Sequence, residues 1–265
     1  MIAAVCKQVI ANLKINKFIE TGTFKGETLS QVSLWFSKLH PEFGKIQKMS
    51  IHWKTYMVYP VFKGASAASN FKIYSIEFNP DFYQNAKAVF ASNPNIILEN
   101  QSSEQFLRKS IDNGILSKDD SCFFFLDAHW EEYWPLRDEL TQVLKLPRFV
   151  VAIDDFAVPG HPEFVFDSYK DIACNWDYIK DLFRDKNVSV YYPIKPNRNL
   201  RGWVLIISGY TQEELAFLNA LPLSTKPDSV KSFKSKNNFR SIILRSPILT
   251  RTARFMLVIL AYLRL

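Results

Sequence analysis

Glycine is scarce in this chain, 8 in 265 residues, so two glycines placed close together need a physical reason. Cysteine is scarcer still. Cys6, Cys122 and Cys174 are odd in number, far apart and without a C-x-x-C pair, which excludes a disulfide framework and a structural zinc site and fits a reducing cytoplasm. No apolar run is long enough for a membrane span. The longest in the tail, Phe255 to Leu263, has nine residues against the roughly 20 that a bilayer requires. The start, "MIAAVCKQVIANLKIN", lacks a basic region ahead of its apolar residues and reaches Lys7 too early for a signal peptide; its spacing suits an amphipathic helix. Basic charge is also missing from most of the chain. The formal net charge is +7, but residues 226–265 hold nine Lys and Arg against Asp228 alone, so residues 1–225 carry −1. That argues against a basic nucleic-acid groove on the main domain, and no nucleic-acid partner is expected.

What is present is a 48% hydrophobic, 15% aromatic chain long enough for one sizeable α/β core. Short apolar runs alternate with helical patterns, which predicts a parallel sheet. Strands are expected at Lys17–Glu20, Lys72–Glu77, Ile96–Glu99, Cys122–Asp127, Phe149–Asp154, Val188–Tyr192 and Trp203–Ser208. The segments "NPDFYQNAKAVFAS", "SSEQFLRKSIDNG" and "PLRDELTQVLKL" read as helices, with Asn79 and Ser102 as caps and Gly114 as a stop. The final two strands are joined by "PIKPNRNLRG", too short for a crossover helix, so they should pair antiparallel. The fold class expected is therefore α/β: a Rossmann-like sheet of mostly parallel strands with an antiparallel final pair and helices on both faces. One domain should cover residues 1–225, with an insertion at 40–70 that is longer than such a connection needs and reads as a lid, an interface or an extended helix. Residues 226–265 form a basic and apolar tail.

The two close glycines, Gly22 and Gly26, sit in "FIETGTFKGETLSQV", where the first strand turns into the first crossover helix. Ligands of open α/β sheets bind outside the carboxyl ends of the strands, and glycine there lets backbone approach a ligand closely. A third glycine of the dinucleotide fingerprint is absent, and Glu20 would repel a pyrophosphate. A ligand with a cationic amino-acid end suits it better. At the end of the second long strand, in "YSIEFNP", Glu77 can accept both hydroxyl hydrogens of a ribose; the plainer reading is a solvated acid ahead of a helix cap.

At this point "ETGTFKG", "IYSIEFNPDFYQNA", "ENQSSEQFL", "FFFLDAHW" and "VVAIDDF", taken in order, resemble the successive strand-end motifs of class I S-adenosylmethionine-dependent methyltransferases, especially small-molecule O-methyltransferases of the macrocin and cephalosporin-tailoring type. The resemblance runs from about Phe18 to Ser208. It implies that Glu20, Thr21, Gly22, Thr23 and Gly26 line the methionine end of the cofactor, that Glu77 takes the ribose, and that Gln101 with Ser102 meets the adenine. Gln101 stands where the family commonly has Asp. Asp127 falls in the cofactor set as well.

Asp127, Asp154 and Asp155 would deliver three carboxylates to one rim of the sheet, an oxygen-only set that suits Mg²⁺. The resemblance agrees, because cation-dependent members place acids at corresponding strand ends. The alternative is that one Asp caps a turn and another holds the cofactor amine. His129 is the leading general base beside Asp127, and His161 the second. The reaction implied is methyl transfer to an oxygen of a small molecule, a class that includes sugars and glycosylated metabolites. Its rivals are a catalytically silent cofactor-binding protein acting through its tail, a nucleic-acid methyltransferase, which usually has a Pro-Pro-aromatic sequence where this chain has "DAHW", and a dinucleotide-dependent dehydrogenase, which would need the missing glycine pattern. Residues 241–265 are the expected site of peripheral membrane or subunit contact, the latter including a homo-oligomer.

Overall fold

The computed structural model describes residues 2–52, 57–129, 132–195 and 200–225. The basic tail, including the expected contact at 241–265, lies outside the described residues. Among them no helix is long and apolar enough to cross a membrane.

The chain begins with helix α1 (Ile2–Asn12) and strand β1 (Lys17–Thr21), followed by helix α2 (Glu27–Leu39). Two short antiparallel strands come next, β2 (Lys45–His52) and β3 (Met57–Lys63). The alternation then runs β4 (Lys72–Ile76), α3 (Pro80–Phe90), β5 (Ile96–Glu99), α4 (Ser103–Asp112), β6 (Cys122–Leu126), α5 (Leu136–Val143) and β7 (Phe149–Asp154). A small hairpin of β8 (Ser168–Tyr169) and β9 (Ile172–Ala173) leads to the short helix α6 (Trp176–Ile179) and to β10 (Val188–Pro193), β11 (Trp203–Ser208) and β12 (Leu223–Ser224). One sheet of eight strands has the order β12-β10-β11-β7-β6-β1-β4-β5. β7, β6, β1, β4 and β5 are parallel, whereas β11 pairs antiparallel with both β7 and β10. This is the mostly parallel sheet with an antiparallel final pair that the sequence predicts, with strand limits within a residue of those expected.

The sheet is buried on both faces, which is why "CFFFL" reads as a continuous apolar run rather than an alternating one. Successive side chains point to opposite faces. Phe18, Phe123 and Phe125 therefore pack with Val5, Val9 and Phe36 of α1 and α2, while Ile19, Phe124 and Leu126 pack with Leu107 of α4 and Leu136 and Leu140 of α5. Each such fully buried side chain contributes about 1.5–3 kcal/mol.

The insertion at 40–70 is neither an extended helix nor unstructured. It is the β2–β3 hairpin, whose Val58, Tyr59 and Phe62 are buried, and the Tyr59 hydroxyl donates to the Lys25 carbonyl at 2.6 Å. The hairpin thus braces the turn after β1.

The strand order reverses between β1 and β6: from β1 the chain moves outward to β4 and β5, then returns to build the other half from β6. Such a reversal leaves a crevice beyond the carboxyl ends of the two strands.

Candidate functional site

A cavity of about 600 Å³ occupies that crevice. Its lining includes Gly22, Phe24, Glu77, Phe78, Gln101, Ser103 and Tyr133 on one side, and Asp127, His129, Asp155, Asp167 and Arg201 on the other.

Gly22 follows β1 with φ +86°, and a Cβ there would stand 2.5 Å from the Asp127 carbonyl oxygen. Only glycine lets the turn close against the end of β6 in this way. Gly26 is the N-cap of α2 at φ 71°. Between them Phe24 adopts φ 47°, is half exposed, lines the cavity and meets Phe82 edge to face at 4.7 Å.

Glu77 is 7% exposed, and its two carboxylate oxygens accept from the backbone N–H groups of Phe24 and Asn79, each at 2.8 Å. The carboxylate therefore ties the loop after β1 to the cap of α3, where Asn79 accepts from Asp81 and Phe82. Each oxygen keeps acceptor capacity toward the cavity. Next to it Phe78, 63% exposed, stacks on Tyr133 with ring centroids 5.3 Å apart. The Tyr133 hydroxyl accepts from Ser103 N at 3.2 Å and donates to Glu104 at 3.0 Å, which fixes the ring.

Of the residues expected around a cofactor, Gly22, Glu77, Gln101 and Asp127 line the cavity. Glu20, Thr21, Thr23, Gly26 and Ser102 do not. Glu20 lies behind the wall, fully buried, accepting a hydrogen bond from Ser75, whose hydroxyl is 2.6 Å from that of Thr23. Burial pushes the Glu20 carboxyl up to about 8, and the charge of Glu77 adds to the rise against the Ser75 hydrogen bond. Alternation along β1 explains the placement: the residue that ends an apolar run is itself inside the run's burial pattern. Ser103, one position further on, borders the cavity in place of Ser102, whose buried hydroxyl has no hydrogen-bond partner.

In the other half, His129 is 3% exposed and, apart from the Asp154 backbone that it approaches, neither ring nitrogen has a hydrogen-bond partner among the described residues. Its ring lies 5.2 Å from that of Trp134, and Nε2 is 4.0 Å from Asp167 Oδ2. Burial lowers its pKa to about 4, with the Asp167 carboxylate opposing and Arg201 reinforcing the shift, so the ring is neutral and an acceptor at physiological pH. His161, the second candidate, does not line the cavity; it is buried with Nδ1 2.9 Å from Glu163.

Asp155 stands at φ 52°, a left-handed conformation uncommon for a non-glycine residue. Its carbonyl accepts from Asp167 N at 2.9 Å and its carboxylate meets Arg201 at 2.7 Å. Arg201 also bonds Asp167. Asp167 and Arg201 carry no signal in the sequence, because they reach the cavity from a loop and from the connection between β10 and β11. Asp127 opens into the cavity from the end of β6. Burial and the like charges of Asp154, Asp155, Glu20 and Asp167 raise its carboxyl well above the ordinary range, and water admitted through the cavity screens part of that effect.

The metal expected on Asp127, Asp154 and Asp155 does not fit this arrangement. Asp154, the last residue of β7, borders a separate small cavity with Ile2, Cys6 and Phe18 on the α1 face of the sheet. Asp155 is engaged by Arg201. Among the described residues no group of three or more His, Cys, Asp or Glu side chains is arranged to hold a metal ion. The physical reason is that Asp154 still follows the strand and faces α1, whereas Asp155 leaves it through a left-handed turn at φ 52° that carries its carboxylate to Arg201.

No protein-family model matches the chain. No curated protein matches it either. Among solved structures it is similar to an O-methyltransferase from Bacillus cereus in complex with SAH, at 12% identity over 78% of this chain and 80% of that chain, with a TM-score of 0.49. It is also similar to the O-methyltransferase TomG from Streptomyces achromogenes in complex with SAM, involved in tomaymycin synthesis, at 13% identity over 78% and 79% with a TM-score of 0.48. A putative caffeoyl-CoA O-methyltransferase from Staphylococcus aureus gives 13%, 78%, 83% and 0.44 in the same measures.

Proposed function

We propose that the chain binds S-adenosylmethionine in this cavity and transfers its methyl group to a hydroxyl oxygen of a small molecule. The observation that carries the reading is the joining, in one cavity beyond the strand ends, of the Glu77 carboxylate with a buried, neutral His129. A strand-end carboxylate at a topological reversal suits a ribose, and a neutral imidazole suits a hydroxyl that must lose its proton.

The residues fit the cofactor in three places. Glu77 would accept from the ribose hydroxyls, while Phe78, Gln101 and Ser103 surround the space for the adenine. Gly22 and Asp127 would face the methionine end. Bound there, S-adenosylmethionine supplies a methyl group on a sulfonium that is already reactive. The rest falls to this chain's own side chains. His129, its ring backed by Trp134, accepts the hydroxyl proton through a ring nitrogen, Tyr133 holds Phe78 at the adenine side of the wall, and the Arg201–Asp155–Asp167 group fixes the charge around the acceptor. No step passes through a metal. Sugars and glycosylated metabolites fall within the acceptor class so defined.

Calorimetry with S-adenosylhomocysteine tests the reading, with NAD as the comparison. One S-adenosylhomocysteine per chain and no NAD is the expected result; binding of NAD instead would replace methyl transfer by hydride transfer.

A further inference from the structure

We infer that the acceptor is an apolar-bodied hydroxyl compound that is uncharged or bears an amine, and that the cavity turns away compounds with a carboxylate or phosphate near the reacting hydroxyl. This rests on the methyl-transfer reading of the cavity and narrows it to a substrate class.

The charges come first. Among the described residues bordering the cavity, Glu77, Asp127, Asp155 and Asp167 are acids and Arg201 is the cation. Arg201 is held by two carboxylates at once, Asp155 at 2.7 Å and Asp167 more closely still. Arg201 is thereby matched by its own carboxylates, and an incoming anion would meet Asp167 beside it rather than an uncompensated cation. Like charges facing each other in a cavity are costly, whereas a hydroxyl or an ammonium group is accepted by carboxylate oxygens.

A second observation places the reacting group in the same half. His129 is 3% exposed, borders the cavity and has no side-chain hydrogen-bond partner among the described residues. It offers a neutral acceptor for one hydroxyl hydrogen and no charge to attract an anion.

Beside this half of the cavity, though not lining it, Val165 and Leu200 are about half exposed and Phe166 is 39% exposed. The two segments lie side by side, since Val165 N donates to the Leu200 carbonyl at 2.8 Å and Gly202 N to the Val165 carbonyl at 2.9 Å. They flank Asp167 and Arg201 in the chain, so an exposed apolar patch adjoins the acidic half of the cavity. Exposed apolar patches beside a cleft usually mark a place where an apolar ligand lies.

The test uses the full chain loaded with S-adenosylhomocysteine and three matched probes: catechol, dopamine as its cationic relative, and 3,4-dihydroxybenzoate as its anionic relative. Calorimetry should give comparable affinities for catechol and dopamine and at least a tenfold weaker one for the benzoate, the ratio that about 1.4 kcal/mol of repulsion produces. In Asp167→Asn the gap should narrow. Benzoate binding as tightly as dopamine overturns the inference, and so does a gap left unchanged by Asp167→Asn. If S-adenosylhomocysteine binds but none of the three probes does, the apolar-bodied class is wrong while methyl transfer stands. If S-adenosylhomocysteine itself fails to bind, the methyl-transfer reading falls and this inference with it.

Discussion

Replacing Glu77 by glutamine separates two duties that the structure gives to one carboxylate. In the protein its oxygens accept from Phe24 N and Asn79 N at 2.8 Å, and the side chain is 7% exposed. Glutamine has one acceptor oxygen, so it can keep one of these bonds and must point its amide hydrogens at the other backbone N–H. Hydrogen bonds to charged groups contribute about 1.5–3 kcal/mol each, which sets the expected loss of stability at roughly that amount. For a chain of this size each kcal/mol moves Tm by about 2–4 °C. If the same carboxylate also takes the ribose, affinity for S-adenosylhomocysteine should fall by a further ~1.5–3 kcal/mol, or about 10- to 150-fold. Thermal unfolding without ligand measures the first effect, and calorimetry well below Tm measures the second. A lowered Tm with unchanged affinity would leave Glu77 as a brace for the turn and refute its part in cofactor binding.

Two further outcomes test the buried groups. Glu139 on α5 is 1% exposed, and burial raises its pKa from 4.5 to about 7, with hydrogen bonding from the Ser103 and Thr21 hydroxyls offsetting part of the rise. Its contribution to stability is fully present below about pH 4.5 and is lost as pH rises through about 7, a swing of roughly 3 kcal/mol. Glu139→Gln should therefore gain stability over the parent in urea unfolding near pH 8 but not near pH 4.5, and an identical pH dependence in both would refute the burial argument. His129→Ala should reduce methyl transfer by about 10²–10⁴-fold while S-adenosylhomocysteine binds as before. Unchanged turnover would remove it as the base.

The central sheet was legible because burial on both faces leaves strands such as Cys122–Leu126 and Phe149–Asp154 with no polar interruption, and because their ends carry the acids and glycines. The β2–β3 hairpin was not. Its outer strand, "KIQKMSIH", is largely exposed and rich in lysine, and Pro60 sits inside its partner, so both runs lack the signals of a sheet strand. Packing of Val58, Tyr59 and Phe62 beneath it decides the structure, and that packing depends on surfaces the local sequence does not contain.

The candidate site divides along the same physical line. Gly22, Glu77 and Asp127 are legible from their place at strand ends, and Gln101 from the family resemblance; the sheet brings all four to the cavity. Glu20 and Asp154 share that place in the sequence but not in space, because the alternation of side chains along a strand assigns one neighbour to the crevice and the next to the opposite face or to the interior. Asp155 escapes the rule only by adopting φ 52°, and what holds it there is a contact with Arg201, a residue brought to the crevice by the β10–β11 pairing and the Val165–Arg201 bridge. Three acids read along the chain suggest a divalent ion. Two acids closed on an arginine in space give instead an ion-paired group in which Arg201 takes the place beside Asp155 that a metal would have needed.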